Sequence, residues 1–106
     1  MKAQKQNTLH LNLHKKWFDM ILSGTKKEEY RSLSEYWEKR LKDGNEPKQF
    51  DTITFSNGMK PLSKLRRFVV MFEGIEVGFP KKEWGGDETQ ECFILHLGNI
   101  IKKYNC

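Results

Sequence analysis

Residues 23–31 read Ser-Gly-Thr-Lys-Lys-Glu-Glu-Tyr-Arg. Lys26, Lys27, Glu28, Glu29 and Arg31 put five charges within six positions, directly after a helix stop. Gly24 marks that stop, because glycine accepts the left-handed backbone just past a helix end without penalty. Upstream, Trp17 with Ile21 and Phe18 with Leu22 sit four apart, which predicts a helix from Lys15 to Ser23. Downstream, Lys27–Arg31 predicts a strand. Alternation then places Lys27, Glu29 and Arg31 on one face and Lys26 on the other. If Lys26 belongs to a turn or bulge at Gly24 instead, it converges with Glu29 and Arg31. The pattern leaves both arrangements open.

Working outward, residues 8–14 alternate strictly. Leu9, Leu11 and Leu13 share one face, and His10, Asn12 and His14 share the other, as on a half-buried strand. After Arg31, Ser32-x-x-Glu35 has the capping-box spacing and predicts a second helix with an apolar stripe of Leu33, Trp37 and Leu41. Glu35–Lys39 and Glu38–Lys42 are favourably ordered i,i+4 pairs, and Gly44 and Pro47 end the helix. The remainder reads mostly as strand. Phe50–Asn57 alternates loosely and closes on the turn signal Asn57-Gly58. The apolar run Phe68–Phe72 within Leu65–Glu73 predicts a strand buried on both sides. Gly74 breaks it, with Ile75–Val77 continuing after a turn or bulge. Phe79–Glu91 is a loop, Cys92–Leu97 a last core strand, and Ile100–Tyr104 a short tail element. Two early helices and several short strands fit an α+β fold: a small β-barrel of about five to six strands flanked by two helices. Parallel βαβ winding is disfavoured, since helical patterns do not alternate with the later strands.

The chain has 106 residues, which suits one domain over 1–106 with one modest core. Its 37% apolar content is low, but 7 Phe, 3 Trp and 3 Tyr supply rings large enough to fill a small core. Net charge is +5, favouring anionic partners such as nucleic acid, although the charges are spread without any long run. No apolar run reaches the roughly 20 residues a membrane span needs. Met1–Thr8 is polar and lacks a signal core. Cys92 and Cys106 have no metal-type spacing; reduced thiols in a cytoplasmic protein are the simplest account.

The 23–31 cluster carries the chemistry. Arg31 offers a planar fork for phosphate, carboxylate or a base edge. Glu29 can accept from an exocyclic amine or orient the arginine. Lys26 supplies positive charge and, when desolvated, a base. Tyr36 and Arg40, one turn apart on the second helix, suit stacking on bases, while Trp37 aligns with the core stripe. Asn57 belongs to a turn but, near a barrel mouth, also reads a base edge. His10 and His14 stand ~13 Å apart along a strand, too far to share a metal. Trp84-Gly85-Gly86 is either a flap over a cleft or a Trp that packs its loop down.

Gly24-x-Lys26-x-x-Glu29-x-Arg31 matches the G-x-K-x-x-E-x-R signature of ASCH domains, and the preceding strand and helix stand where that family has them. Phe93–Gly98 also resembles the family's closing strand. The chain is therefore identified as resembling the ASCH family of the PUA-like group. The resemblance implies a PUA-like barrel with the motif lining a cleft, RNA or nucleotide binding, and no cofactor. Ligand contacts are then expected from Gly24, Lys26, Glu29, Arg31, Tyr36, Arg40 and Asn57. A related enzymatic branch, the small acetylcytidine amidohydrolases, uses a Lys and a Thr of this motif. Here Glu29 occupies the Thr position, and a carboxylate cannot serve as that nucleophile. A hydrolase acting on a modified nucleoside would need Lys26 as base and Glu29 as its partner. A third reading is a protein-interaction domain without a small ligand.

Overall fold

Leu9, Leu11 and Leu13 are buried, whereas His10, Asn12 and His14 are exposed. The alternation read from 8–14 therefore forms strand β1 (Thr8–Asn12). The computed structural model describes residues 7–106, so the polar start over residues 1–6 lies outside the described residues. Along the chain follow α1 (Lys15–Leu22), β2 (Glu28–Arg31), α2 (Glu35–Leu41) and a miniature hairpin of β3 (Lys42–Asp43) and β4 (Glu46–Pro47). Then come β5 (Thr52–Asn57), β6 (Arg66–Gly78), a short 3-10 turn (Lys82–Trp84) and β7 (Cys92–Tyr104). The fold is a small α+β one: five strands form one curled half-barrel sheet in the order β1-β5-β6-β7-β2, with two helices.

The core is aromatic. Phe18 of α1 lies 4.7 Å from Phe68 of β6, and Phe68 lies 5.6 Å from Phe55 of β5, centroid to centroid. Phe18, Phe55, Phe68 and Phe93 are all essentially sealed from water. Burying rings of this size supports a 106-residue domain of low apolar content.

Several expectations change. The second helix begins at Glu35, and Ser34 caps it by accepting from the Trp37 N–H at 3.3 Å. Ser32 is therefore not the cap, and Leu33 lies outside the helix and is 46% exposed. The strand buried on both sides is β5, where Thr52–Phe55 are all buried. In β6 burial alternates, with Phe68 and Val70 buried and Met71 exposed. Continuous hydrophobicity at 68–72 does not mark two-sided burial here: one face of β6 turns inward through Phe68 and Val70, and Met71 on the other face is exposed. Gly74, at φ +132°, is a kink inside one 13-residue strand, and β7 likewise runs unbroken through Gly98. Register shifts between Val69 and Gly74 bend this long pair and curl the sheet. Among the described residues one pair is parallel, β1 with β5 (Leu9 opposite Ile53), joined by a crossover that carries β2 and both helices.

The two sheet edges, β1 and β2, do not pair with each other. The resulting seam positions the site. Among the described residues, no helix is long and apolar enough to cross a membrane.

Candidate functional site

The seam is entered from α1. Ser23 caps the helix, Gly24 follows at φ +85°, and the Thr25 N–H reaches back to the Met20 carbonyl (2.9 Å). The Gly24 N–H reaches the Ile21 carbonyl (3.0 Å), completing a Schellman turn. The Lys26 N–H also donates to the Met20 carbonyl, at 3.0 Å. Lys26 is thus held in the turn rather than in β2, and strand alternation does not govern its direction. Its side chain turns inward and is 2% exposed.

Lys26, Glu29 and Arg31 do converge. The Lys26 ammonium lies 2.7 Å from Glu29 Oε1, and the Arg31 guanidinium pairs with Glu29 Oε2. Glu29 is pinned by β2, where it sits opposite Leu95 of β7. Both of its carboxylate oxygens are therefore occupied. Two cations share one anion, leaving a net positive charge in a largely desolvated cluster. Arg31 also donates to the Tyr30 carbonyl at 3.0 Å and, across the seam, to the Asn12 carbonyl at 3.4 Å. From α2, Arg40 donates to the His10 carbonyl at 3.3 Å and to the Tyr36 hydroxyl at 3.1 Å. The two arginines bridge the edge that β2 leaves unpaired.

These groups surround a cavity of about 680 Å³, a size common for small-ligand sites. Its rings come from four places: Trp17 on α1, Tyr30 on β2, Tyr36 and Trp37 on α2, and Trp84 on the last loop. The cations lie over rings: Lys26 is 4.9 Å from Trp17, Arg31 5.1 Å and Arg40 5.5 Å from Trp37. The loop is packed down rather than free. Gly85, at φ +95°, lies so close to the Trp17 ring that a Cβ there would stand 2.8 Å from the indole. The Lys81 N–H donates to the Tyr30 hydroxyl at 3.0 Å, which itself donates to Glu28 at 2.7 Å. Burial pushes the Tyr30 phenol well above its ordinary range, with the Glu28 carboxylate adding to the effect. Burial likewise raises the Cys92 thiol, assisted by the charges of Glu28 and Glu29.

Of the residues expected to contact a ligand, Lys26, Glu29, Arg31, Tyr36 and Arg40 line the cavity. Gly24 does not; it shapes the turn that delivers Lys26. Asn57 does not either: its side-chain amide donates to the Leu13 carbonyl at 3.0 Å, tying the end of β5 to the chain beyond β1. His10 and His14 reach the rim of the cavity. Trp17 lines it as well, and so does Trp37, which also packs against the core cluster as its stripe predicts. The spacing held a signal for Trp37, since Arg40 follows it by three positions and so shares its helix face. Comparison with family models, with curated proteins and with solved structures returned no match.

Proposed function

We propose that this chain is an ASCH-type domain of the PUA-like group that binds a nucleotide, a modified nucleoside or single-stranded RNA in the seam cavity. The observation that carries this reading is the Lys26–Glu29–Arg31 cluster, two cations on one carboxylate inside a cavity walled by indole and phenol rings. A buried cluster with surplus positive charge is completed by an anion, and phosphate is the anion nucleotides bring. Rings on several sides offer stacking surfaces for a planar base. The curled five-strand sheet with its motif at an open edge fits the same reading.

The hydrolase alternative has less support. Each carboxylate oxygen of Glu29 is already engaged by a cation, Lys26 on one and Arg31 on the other. Thr25, the nearest hydroxyl in sequence, is exposed and bonds Ser23 Oγ at 3.1 Å. Binding of a fluorescent single-stranded RNA and of nucleoside monophosphates, measured against salt, tests the proposal. Affinity should fall as salt rises and be lost in Arg31→Ala. Unchanged affinity in that variant, with the fold intact, would move the site elsewhere.

A further inference from the structure

We infer that the end of the sheet beyond the seam is a second, basic surface, which carries the phosphate backbone of an RNA strand whose base occupies the cavity. The ligand is then a strand rather than a free nucleoside or nucleotide. The inference rests on the nucleotide reading above for the seam, and on the placement of charge for the rest.

Residues 57–72 and 97–106 hold six of the chain's 19 Lys and Arg, and all 14 Asp and Glu lie elsewhere. These two stretches are distant in the chain, and the sheet puts them together. β5 and β6 place Asn57 opposite Arg66, and β6 and β7 place Arg67 opposite Tyr104 and Val69 opposite Lys102. The Asn105 amide donates to the Leu65 carbonyl at 2.8 Å, fastening the chain after β7 to the 58–65 loop. Lys60, Lys64, Lys102 and Lys103 are exposed. Of the six cations, only Arg66 has a carboxylate partner among the described residues: Asp19 at 3.0 Å, which Lys15 shares at 2.8 Å. Arg67 is held by a ring instead. Its guanidinium carbon lies 3.7 Å from the Tyr104 ring centroid, and its sealed Nε–H has no acceptor among the described residues. Like charges gathered without counter-charges repel. A polyanion lowers that repulsion and releases its own counterions as it binds.

The surface begins at the rim of the cavity. Asn12 lines the cavity and exchanges hydrogen bonds with the Gly58 backbone, at 3.3 and 3.0 Å. A strand leaving the seam over Asn12 therefore meets the 58–65 loop next, with Lys60 and Lys64 on it. An anionic membrane is the competing occupant, since Met59 and Leu62 are exposed on the same loop. It fits less well. The loop holds no helix that could lie in the interface plane, and two apolar side chains supply little area to anchor it. RNA needs only phosphates spaced along the cations, and continuity with the cavity supplies the path.

The test compares the wild type with a variant combining Lys60→Gln, Lys64→Gln, Lys102→Gln and Lys103→Gln, its fold checked by circular dichroism. All four side chains are exposed, so the fold should survive. A mixed-sequence single-stranded RNA dodecamer, followed by fluorescence anisotropy from low to high salt, should bind the variant about tenfold or more weakly. The slope of log affinity against log salt should flatten by about two, since each lost phosphate contact on a single strand is worth about 0.7. Calorimetry with UMP, GMP, AMP and CMP should show monophosphate affinity unchanged within about twofold. A dodecamer that binds the variant with the wild-type affinity and slope overturns the inference while the nucleotide reading stands. Dodecamer affinity lost in the variant but unchanged in Arg31→Ala overturns the nucleotide reading and leaves the basic surface as the RNA site. Phosphatidylserine vesicles that retain the wild type and not the variant, with dodecamer affinity equal in the two, assign the surface to a membrane and overturn the inference. A dodecamer that binds neither protein overturns both the inference and the reading beneath it.

Discussion

Lys26 Nζ and Glu29 Oε1 form an ion pair at 2.7 Å with both side chains at or below 5% exposure. Burying two charges is worthwhile only when each is fully satisfied, and removing one partner leaves the other uncompensated. Glu29 also holds Arg31, so its loss strands two cations. Glu29→Gln should therefore destabilise the fold by about 3 kcal/mol or more in urea unfolding. Lys26→Met paired with Glu29→Gln should recover part of that loss, since a single guanidinium, 17% exposed and held by the Tyr30 and Asn12 carbonyls, then remains. If Glu29→Gln unfolds at the wild-type midpoint, the pair is not buried in solution.

Two glycines with similar backbones should respond differently to alanine. Gly24 (φ +85°) has open space where a Cβ would stand, so Gly24→Ala carries only the left-handed penalty, about 1 kcal/mol. Gly85 (φ +95°) adds a collision with the Trp17 indole, and Gly85→Ala should lose clearly more, with altered tryptophan fluorescence. Equal losses, measured by denaturant midpoints, would mean that the loop does not rest on Trp17.

The Lys26–Glu29–Arg31 cluster was more legible than the sheet. Gly24, Lys26, Glu29 and Arg31 could be read because a helix stop followed by charged alternation is local, and local geometry decides where Lys26 points. The seam could not be read: that β1 and β2 end on opposite edges depends on β5, β6 and β7, far away in sequence. Trp37 was assigned to the core because periodicity reports which face is covered, not what covers it. Trp37 packs against the core cluster and also meets two guanidiniums and the cavity. Asn57 stands apart from the cavity for the opposite reason. A turn amide finds the nearest free carbonyl, and that was Leu13 rather than a ligand.

Asn57 and Arg40 should therefore separate stability from binding. Asn57→Ala leaves the Leu13 carbonyl without its side-chain donor and should lower stability by about 1 kcal/mol, with nucleotide affinity unchanged within about twofold. Arg40→Ala is expected to do the reverse. It forgoes a partly exposed contact of small structural worth, but removes a cation from the cavity wall and should weaken binding about tenfold. Thermal melts and titrations on the same two samples check both. A binding defect in Asn57→Ala would return that residue to the site.

Tyr30 should contribute to the loss of stability at alkaline pH. Its phenol is held above the ordinary value of 10.0 by burial and by the Glu28 carboxylate it donates to. The folded state thus keeps a proton that the unfolded chain releases near pH 10. A group raised on folding contributes stability that is fully present below the unfolded value and is lost as pH rises through the folded one. Stability should therefore decline above about pH 10, with Tyr30 among the causes. In Tyr30→Phe the neutral-pH stability should drop, since the Lys81 N–H and the Glu28 carboxylate lose their partner. The slope above pH 10 should flatten at the same time, because no buried phenol remains to ionise. Denaturant midpoints from pH 8 to 11 on both proteins measure the two effects separately. Parallel pH profiles would show that the Tyr30 phenol ionises as easily folded as unfolded, and with it that this wall of the cavity is open to water.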